Sequence, residues 1–357
     1  MRLRAILREA GRNIASGTAR TVLLASLLSI VTTGLVAAEL LAVRTISDDA
    51  LRYQRSGASI MTITAPGRID GAACDALATV PNARASGAVR SMETGIAAST
   101  LPSSTIPLFE VTGGFPDLLD PQRDDAAGVY LSRDAANALG VESGEEFPAR
   151  YSAPVAVAGV YEYPSDGRRS GFGYAALAPA GSNGRFDECW VDVWPTSDEI
   201  PALMQTTLAS GGENAEPPAL AQLNPSLGRA FDGAERFEQR ITRFAAGAAG
   251  ATALGLGCVA MRTRRLQLAS AMHAGMKKTD LACISGLEVL SWVAPAVVFS
   301  GMAAAAFAAS GIPADAPSAA VLGLRIIAPA AVFAFLGSGL ALAATRETHL
   351  FRYFKNR

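Results

Sequence analysis

The stretch Thr21–Val43 reads TVLLASLLSIVTTGLVAAELLAV and carries a single charge, Glu39. A bilayer core takes about 20 apolar residues per helix, so this run is long enough to cross one. Three more such runs crowd the C-terminal third, at Phe244–Met261, Val289–Ile312 and Ile326–Thr345. Between the first run and the second lies a long polar stretch, Arg44–Arg243. The expected fold is therefore a membrane protein with four transmembrane α-helices, one plus three, and an α+β extracytoplasmic domain inserted between helices 1 and 2. The expected segments are an amphipathic helix over 1–20, spans over 21–43, 289–312 and 326–345, and an inserted domain over 44–236. A stalk and second span cover 237–261, a basic elbow 262–288, a short outer turn 313–325 and a tail 346–357.

Charge sorts these segments by side. The whole chain has a net charge of −1, but residues 45–236 hold 25 Asp and Glu against 13 Arg and no Lys, a balance of −12. Phosphate backbones need basic surface, so nucleic acid is excluded as a partner and an anionic lipid surface is disfavoured. The basic residues cluster instead in three short segments: before the first span (Arg2 to Arg20), between the second and third, and after the fourth (Arg346, Arg352, Lys355, Arg357). Short basic loops stay cytoplasmic, so both termini are expected inside, in a plasma membrane. The alternative for the first run is a cleaved signal peptide ending near Val36-Ala37-Ala38. Signal cores usually run to about 7–15 residues, whereas Thr21–Ala38 is longer and follows a 20-residue basic leader.

Two cysteines, Cys74 and Cys189, fall in the inserted domain. There they either form a disulfide or remain buried thiols, and the sequence leaves both open. Strands are expected at Ser59–Thr64, Ile106–Val111, Gly128–Leu131, Val155–Tyr161 and Glu188–Trp194, and helices at Gly71–Val80, Arg133–Leu139 and Asp198–Ala209, the last capped by Ser197. The domain is expected to form two small lobes, with Ser165–Gly173 and Ser210–Pro218 as mobile loops. It has no histidine, since the chain's two are His273 and His349. Ser-His-Asp, Cys-His and His-metal sites are thereby removed. Acid pairs such as Asp124-Asp125 and Glu145-Glu146 read as solvated surface. No GxxxxGK[ST] phosphate loop occurs. No catalytic residue, metal site or cofactor is expected on this chain.

The elbow, RTRRLQLASAMHAGMKKTDLACISGLE over Arg262–Glu288, pairs a basic apolar helix with a second helix across Gly275. This pattern resembles the cytoplasmic signature of ABC-transporter permeases of the MacB/FtsX type, the macrolide-exporter and cell-division permease family. Arg262, Arg264 and Arg265 match its basic stretch. Met272-His273-Ala274-Gly275 is a degenerate form of its Ala-Leu-Gly-Ala element, Lys277-Lys278 its basic pair and Glu288 its early acid. Arg8 and Arg12-Asn13-Ile14 on the leader, and the segments Gly128–Phe147 and PVAVAGVYEYP, resemble the family as well. The resemblance implies an ATPase-coupling role for the elbow residues, with ATP and Mg held by a separate ABC ATPase subunit. It further implies a second permease copy or paralogue, and a periplasmic or cell-wall partner. The implied activity is export or extraction of an amphiphile, or mechanical signalling across the membrane. A different class of function is a membrane-anchored sensor or cell-wall-regulating protein with no ATPase. Finally, Glu39 and Arg325 stand at similar heights in their spans, about 27 and 30 Å by helical rise. They either pair there or snorkel independently.

Overall fold

The computed structural model describes residues 3–99, 104–123, 127–150, 153–210, 216–310 and 316–349. The chain divides into two units: residues up to Ser47 together with those from Gly233 onward, and Asp48–Asp232 between them. Its helices in chain order are α1 (Leu3–Ala15), α2 (Thr21–Arg55), α3 (Gly71–Ala76), α4 (Arg133–Leu139), α5 (Ile200–Gln205), α6 (Gly233–Gln239), α7 (Ala245–Arg262), α8 (Arg265–His273), α9 (Lys278–Ser310) and α10 (Ala316–Ala344).

Among the described residues four helical segments are long and apolar enough to cross a membrane: α2, α7 with the turn before it, α9 and α10. Two limits differ from expectation. Helix α2 does not stop at Val43 but continues to Arg55, because residues 44–55 contain no Gly or Pro to break it. Its 35 residues span about 52 Å at 1.5 Å each. Helix α10 begins at Ala316, so residues 316–325, assigned to an outer turn, are already helical. The rest of that turn, 313–315, lies outside the described residues, as do Asp124-Asp125 and the tail from Leu350 onward.

Helices α7 and α10 meet backbone to backbone. A Cβ on Gly257 would lie 2.3 Å from the Ala334 carbonyl oxygen, and one on Gly337 would lie 2.1 Å from that of Leu254. Small residues give membrane helices this close approach, where lipid supplies no hydrophobic driving force between them. Across the contact Ser338 Oγ donates to Gly257 O and Cys258 Sγ to Gly337 O, both at 3.3 Å. Thr32 Oγ1 and Ser300 Oγ, 2.7 Å apart and both buried, tie α2 to α9 in the same way.

The inserted unit contains β1 (Ile60–Asp70), β2 (Ala83–Ser91), β3 (Ile96–Ala97), β4 (Thr105–Ile106), β5 (Leu108–Val111), β6 (Gln122–Arg123), β7 (Val129–Ser132), β8 (Glu146–Phe147), β9 (Val155–Tyr161), β10 (Ala176–Pro179), β11 (Arg185–Val193) and β12 (Ala219–Gln222). One mixed sheet runs through it in the order β12-β1-β11-β2-β5-β10-β7-β9-β6, in place of two separate lobes. The join is β2 against β5, through Val89–Val111 to Ser91–Phe109. Strand β2, ARASGAVRS, has too little apolar alternation to be legible in the sequence, yet it is largely buried between β11 and β5. Helix α4 is capped by Ser132, whose Oγ accepts from Ala135 N. Helix α5 is shorter than the expected Asp198–Ala209; Ser197 accepts from Glu199 N ahead of it, and the chain turns away after Gln205.

Cys74 and Cys189 are disulfide-bonded, with Cα atoms 5.8 Å apart, inside an apolar cluster with Ile63, Phe186 and Met204. The segment Ser165–Gly173, read from composition as mobile, is pinned. Phe172 is buried against Trp190, Arg169 N donates to Leu223 O, and the Tyr163 hydroxyl donates to Arg169 O. Burial pushes the Tyr163 phenol up to about 12, so it stays a donor. The chain's path into and out of the unit is also braced. Tyr53 at the end of α2 packs on Trp194 and Phe231, and Gln222 Nε2 donates to its hydroxyl at 2.8 Å.

Asp75 is half-buried, and burial raises its carboxyl pKa against the opposing hydrogen bond from Thr112 Oγ1 at 2.5 Å. A carboxyl raised on folding contributes stability below its unfolded pKa that is lost as pH rises through the folded value. Asp75→Asn is therefore expected to raise the unfolding temperature at pH 7 relative to the parent. The advantage should shrink as pH falls toward the ordinary carboxylate range, as measured by thermal unfolding of the full chain in detergent. Replacing both disulfide cysteines by Ala is expected to cost about 4–5 kcal/mol in the chain-entropy account of so long a loop, read in the same assay.

Candidate functional site at the helical elbow

The residues predicted to couple to an ATPase fall on α7, α8, α9 and the turns between them, and the structure sorts them into a buried node and an exposed face. The node is Glu288. It sits on α9 where the apolar run begins and is 3% exposed. Its Oε1 accepts from Asn13 Nδ2 of α1 at 2.7 Å, and its Oε2 accepts from Arg264 Nη1 at 2.5 Å. Arg264 lies between α7 and α8, so one carboxylate joins the N-terminal helix, the elbow and the third span. Below it Ile6 and Ala10 of α1 pack on Ile284, with Leu287 and Met276 alongside. The amphipathic pattern of α1 explains this placement: its apolar stripe faces α9 while Arg4, Arg8 and Arg12 stay exposed.

The elbow turns at Gly275, whose φ of +88° favours glycine. Met272 is buried beneath α8. Arg262, His273, Gly275, Lys277 and Lys278 are exposed. Among the described residues the side chains of Arg262, Lys277 and Lys278 make no ion pair, which leaves three free cations around the bend. His273 Nδ1 lies 2.9 Å from Glu347 Oε1, linking the elbow to the segment after α10. Arg265 is half-buried on α8. A groove of about 380 Å³ runs between α1, α8 and α9, lined by Glu9, Arg12, Gln267 and Glu288 among others. Among the described residues no group of three or more His, Cys, Asp or Glu could hold a metal ion.

Midway along α2, Glu39 does not pair with Arg325. Glu39 Oε1 instead accepts from Arg240 Nη2 at 2.7 Å and Nε at 3.1 Å, and both side chains are buried. Arg240 precedes α7 and stacks its guanidinium on Phe237, 3.6 Å from the ring centroid. Arg325 is exposed and makes no ion pair among the described residues. Equal height along two helices does not bring them together; packing does, and α10 packs on α7 and α9. Sequence reasoning overlooked Asn13 and Arg240 as site residues. The sequence marks Asn13 only within the Arg12-Asn13-Ile14 resemblance and does not single out Arg240.

No family model matches the chain, and no curated protein matches it. Solved structures similar to it include the periplasmic region of MacB from Actinobacillus actinomycetemcomitans, at 10% identity, 48% of this chain, 91% of that one and a TM-score of 0.34. A domain of a putative permease protein from Porphyromonas gingivalis is similar at 14% identity, 52% and 97% coverage and a TM-score of 0.34. The extracellular domain of the noncanonic ABC-type transporter YknZ from Gram-positive bacteria is similar at 14% identity, 40% and 88% coverage and a TM-score of 0.28.

Removing one partner of a buried ion pair costs about 3–5 kcal/mol, whereas an exposed change is usually within about 0.5 kcal/mol. Arg240→Ala is therefore expected to lower the unfolding temperature in detergent markedly, and Arg325→Ala to leave it near the parent value. Glu288→Ala should speed amide exchange in α1, because that helix loses its polar tie to α9. Adding Arg264→Met should recover part of the stability by removing the stranded charge.

Proposed function

We propose that this chain is the permease subunit of an ABC transporter, worked by an ATPase on a separate subunit that docks on the elbow. The observation that carries the reading is the Glu288 node beside an exposed basic bend. A rigid junction of α1, α8 and α9 presents Arg262, Lys277 and Lys278 outward with no internal partner. Unpaired surface cations steer an acidic partner, and a buried carboxylate tying three elements passes displacement at the bend into the spans. The positive-inside rule places the elbow and both termini in the cytoplasm, where ATP is available. The resemblance of Arg262–Glu288 to the MacB/FtsX signature points the same way. Only 22% of the apolar window of α2 is buried within the chain, which leaves a face for lipid and for a second permease copy. The transported or extracted molecule is an amphiphile, handled by the inserted domain outside the membrane.

Co-purification of the native complex in mild detergent tests this, with mass spectrometry of what accompanies the chain. An ABC ATPase is expected with the parent protein and is expected to be lost with Lys277→Glu/Lys278→Glu. Both substitutions are on the surface, so the unfolding temperature should stay within about 2 °C of the parent. Recovery of the chain without an ATPase, even after crosslinking, would favour an anchored sensor instead.

A further inference from the structure

The inserted unit is acidic overall, yet three of its arginines meet at one groove. The groove, about 560 Å³, is lined by Asp48, Arg52, Arg55, Asp166 and Arg168 with Leu51 as its apolar wall residue on α2. Asp48, Leu51, Arg52 and Arg55 lie on the part of α2 that follows the apolar run, one helical turn or less apart. Arg52 stands about 12 Å of helix beyond Arg44, the first charge after that run.

The five charged groups are not equivalent. Arg168 is built into the wall. Its side chain is 10% exposed, its Nε reaches Asp166 Oδ1 at 3.2 Å, and its Nη2 donates to the Arg55 carbonyl. Its own charge is thereby answered by Asp166. Arg52 is 69% exposed, with one long contact to Asp49 at 3.5 Å. Arg55 and Asp48 are exposed, and their side chains make no bond among the described residues. The groove thus offers two exposed cations one helical turn apart, Arg52 with its long contact to Asp49 and Arg55 with no side-chain bond among the described residues, and, one turn earlier, the unbonded carboxylate of Asp48.

We propose that this groove binds the headgroup of a zwitterionic amphiphile, with its phosphate on Arg52 and Arg55 and its amine on Asp48. Two guanidiniums one turn apart suit a phosphate's several oxygens. A purely anionic headgroup would meet both Asp48 and the repulsion of a domain whose charge balance is −12 over residues 45–236. A net-neutral headgroup avoids that repulsion while still using both signs of charge, and Leu51 offers an apolar wall beside it. This assignment rests on the permease reading for its purpose, since it names the substrate class, but its binding chemistry stands on the groove alone.

The test uses the full chain in a phosphorus-free detergent, with ³¹P line broadening of dihexanoyl phosphatidylethanolamine as probe. Dihexanoyl phosphatidic acid, phosphoethanolamine and inorganic phosphate serve as competitors. Saturable binding of the phosphatidylethanolamine is expected, weakened about tenfold or more by Arg52→Ala/Arg55→Ala, as loss of charged hydrogen bonds implies. Asp48→Asn should narrow the preference for the zwitterionic lipid over phosphatidic acid. Absent binding, or binding unchanged in the double arginine variant, would overturn the proposal. Equal competition by inorganic phosphate would also overturn it, marking a site for free phosphate. Because the arginines are exposed, circular dichroism of the variant should match the parent. If the lipid binds but no ATPase co-purifies, the permease reading fails and the groove stands. If the ATPase co-purifies and the lipid does not bind, the groove assignment alone fails.

Discussion

A single buried carboxylate organises one end of the membrane unit. Glu288 would be costly in an apolar setting, because an isolated charge loses its hydration there. It is tolerated because both oxygens are used, one by Asn13 and one by Arg264. That satisfaction has a geometric consequence. Asn13, Arg264 and Glu288 must hold fixed positions for the bonds to exist, so α1, the elbow and α9 become one junction.

A second buried carboxylate lies midway along α2, with one of its two oxygens bonded. Glu39 and Arg240 are both buried and are bonded to each other, and Arg240 is further held by the ring of Phe237. Within the inserted unit Tyr53, Trp194 and Phe231 clamp the incoming helix against the outgoing chain. Buried polar ties thus stand where the apolar run of α9 begins and midway along α2, and an aromatic tie marks the end of α2. Elsewhere in the membrane unit contact is made by small residues. Gly257 and Gly337 bring α7 and α10 to backbone contact, and specificity comes from shape more than from charge.

Much of this was legible in residue order because the signals are local. Four long apolar runs, the −12 balance between the first two, and the basic segments follow from composition along the chain. Strand β9 and helix α4 are read to their observed limits, since a short apolar run and the helix that follows a short strand are local features. Strand β2 was not legible. Its small residues carry no period, and its burial comes from β11 and β5 on either side, which the sequence does not place. The full length of α2 was missed because polarity was taken as the end of the helix, whereas polarity ends only the membrane's claim on it.

Sequence alone determined which segments are apolar enough to span a bilayer, which residues carry charge, and that the elbow pairs a basic stretch with an acid. Those properties depend on side-chain type and spacing. Tertiary structure decided the partners. It chose Arg240 over Arg325 for Glu39, brought Asn13 to Glu288, placed Cys74 within reach of Cys189, and gathered Arg52, Arg55 and Arg168 into one groove. Each of these depends on how helices and strands pack, and a buried charge bonds to whatever packing brings within about 3 Å.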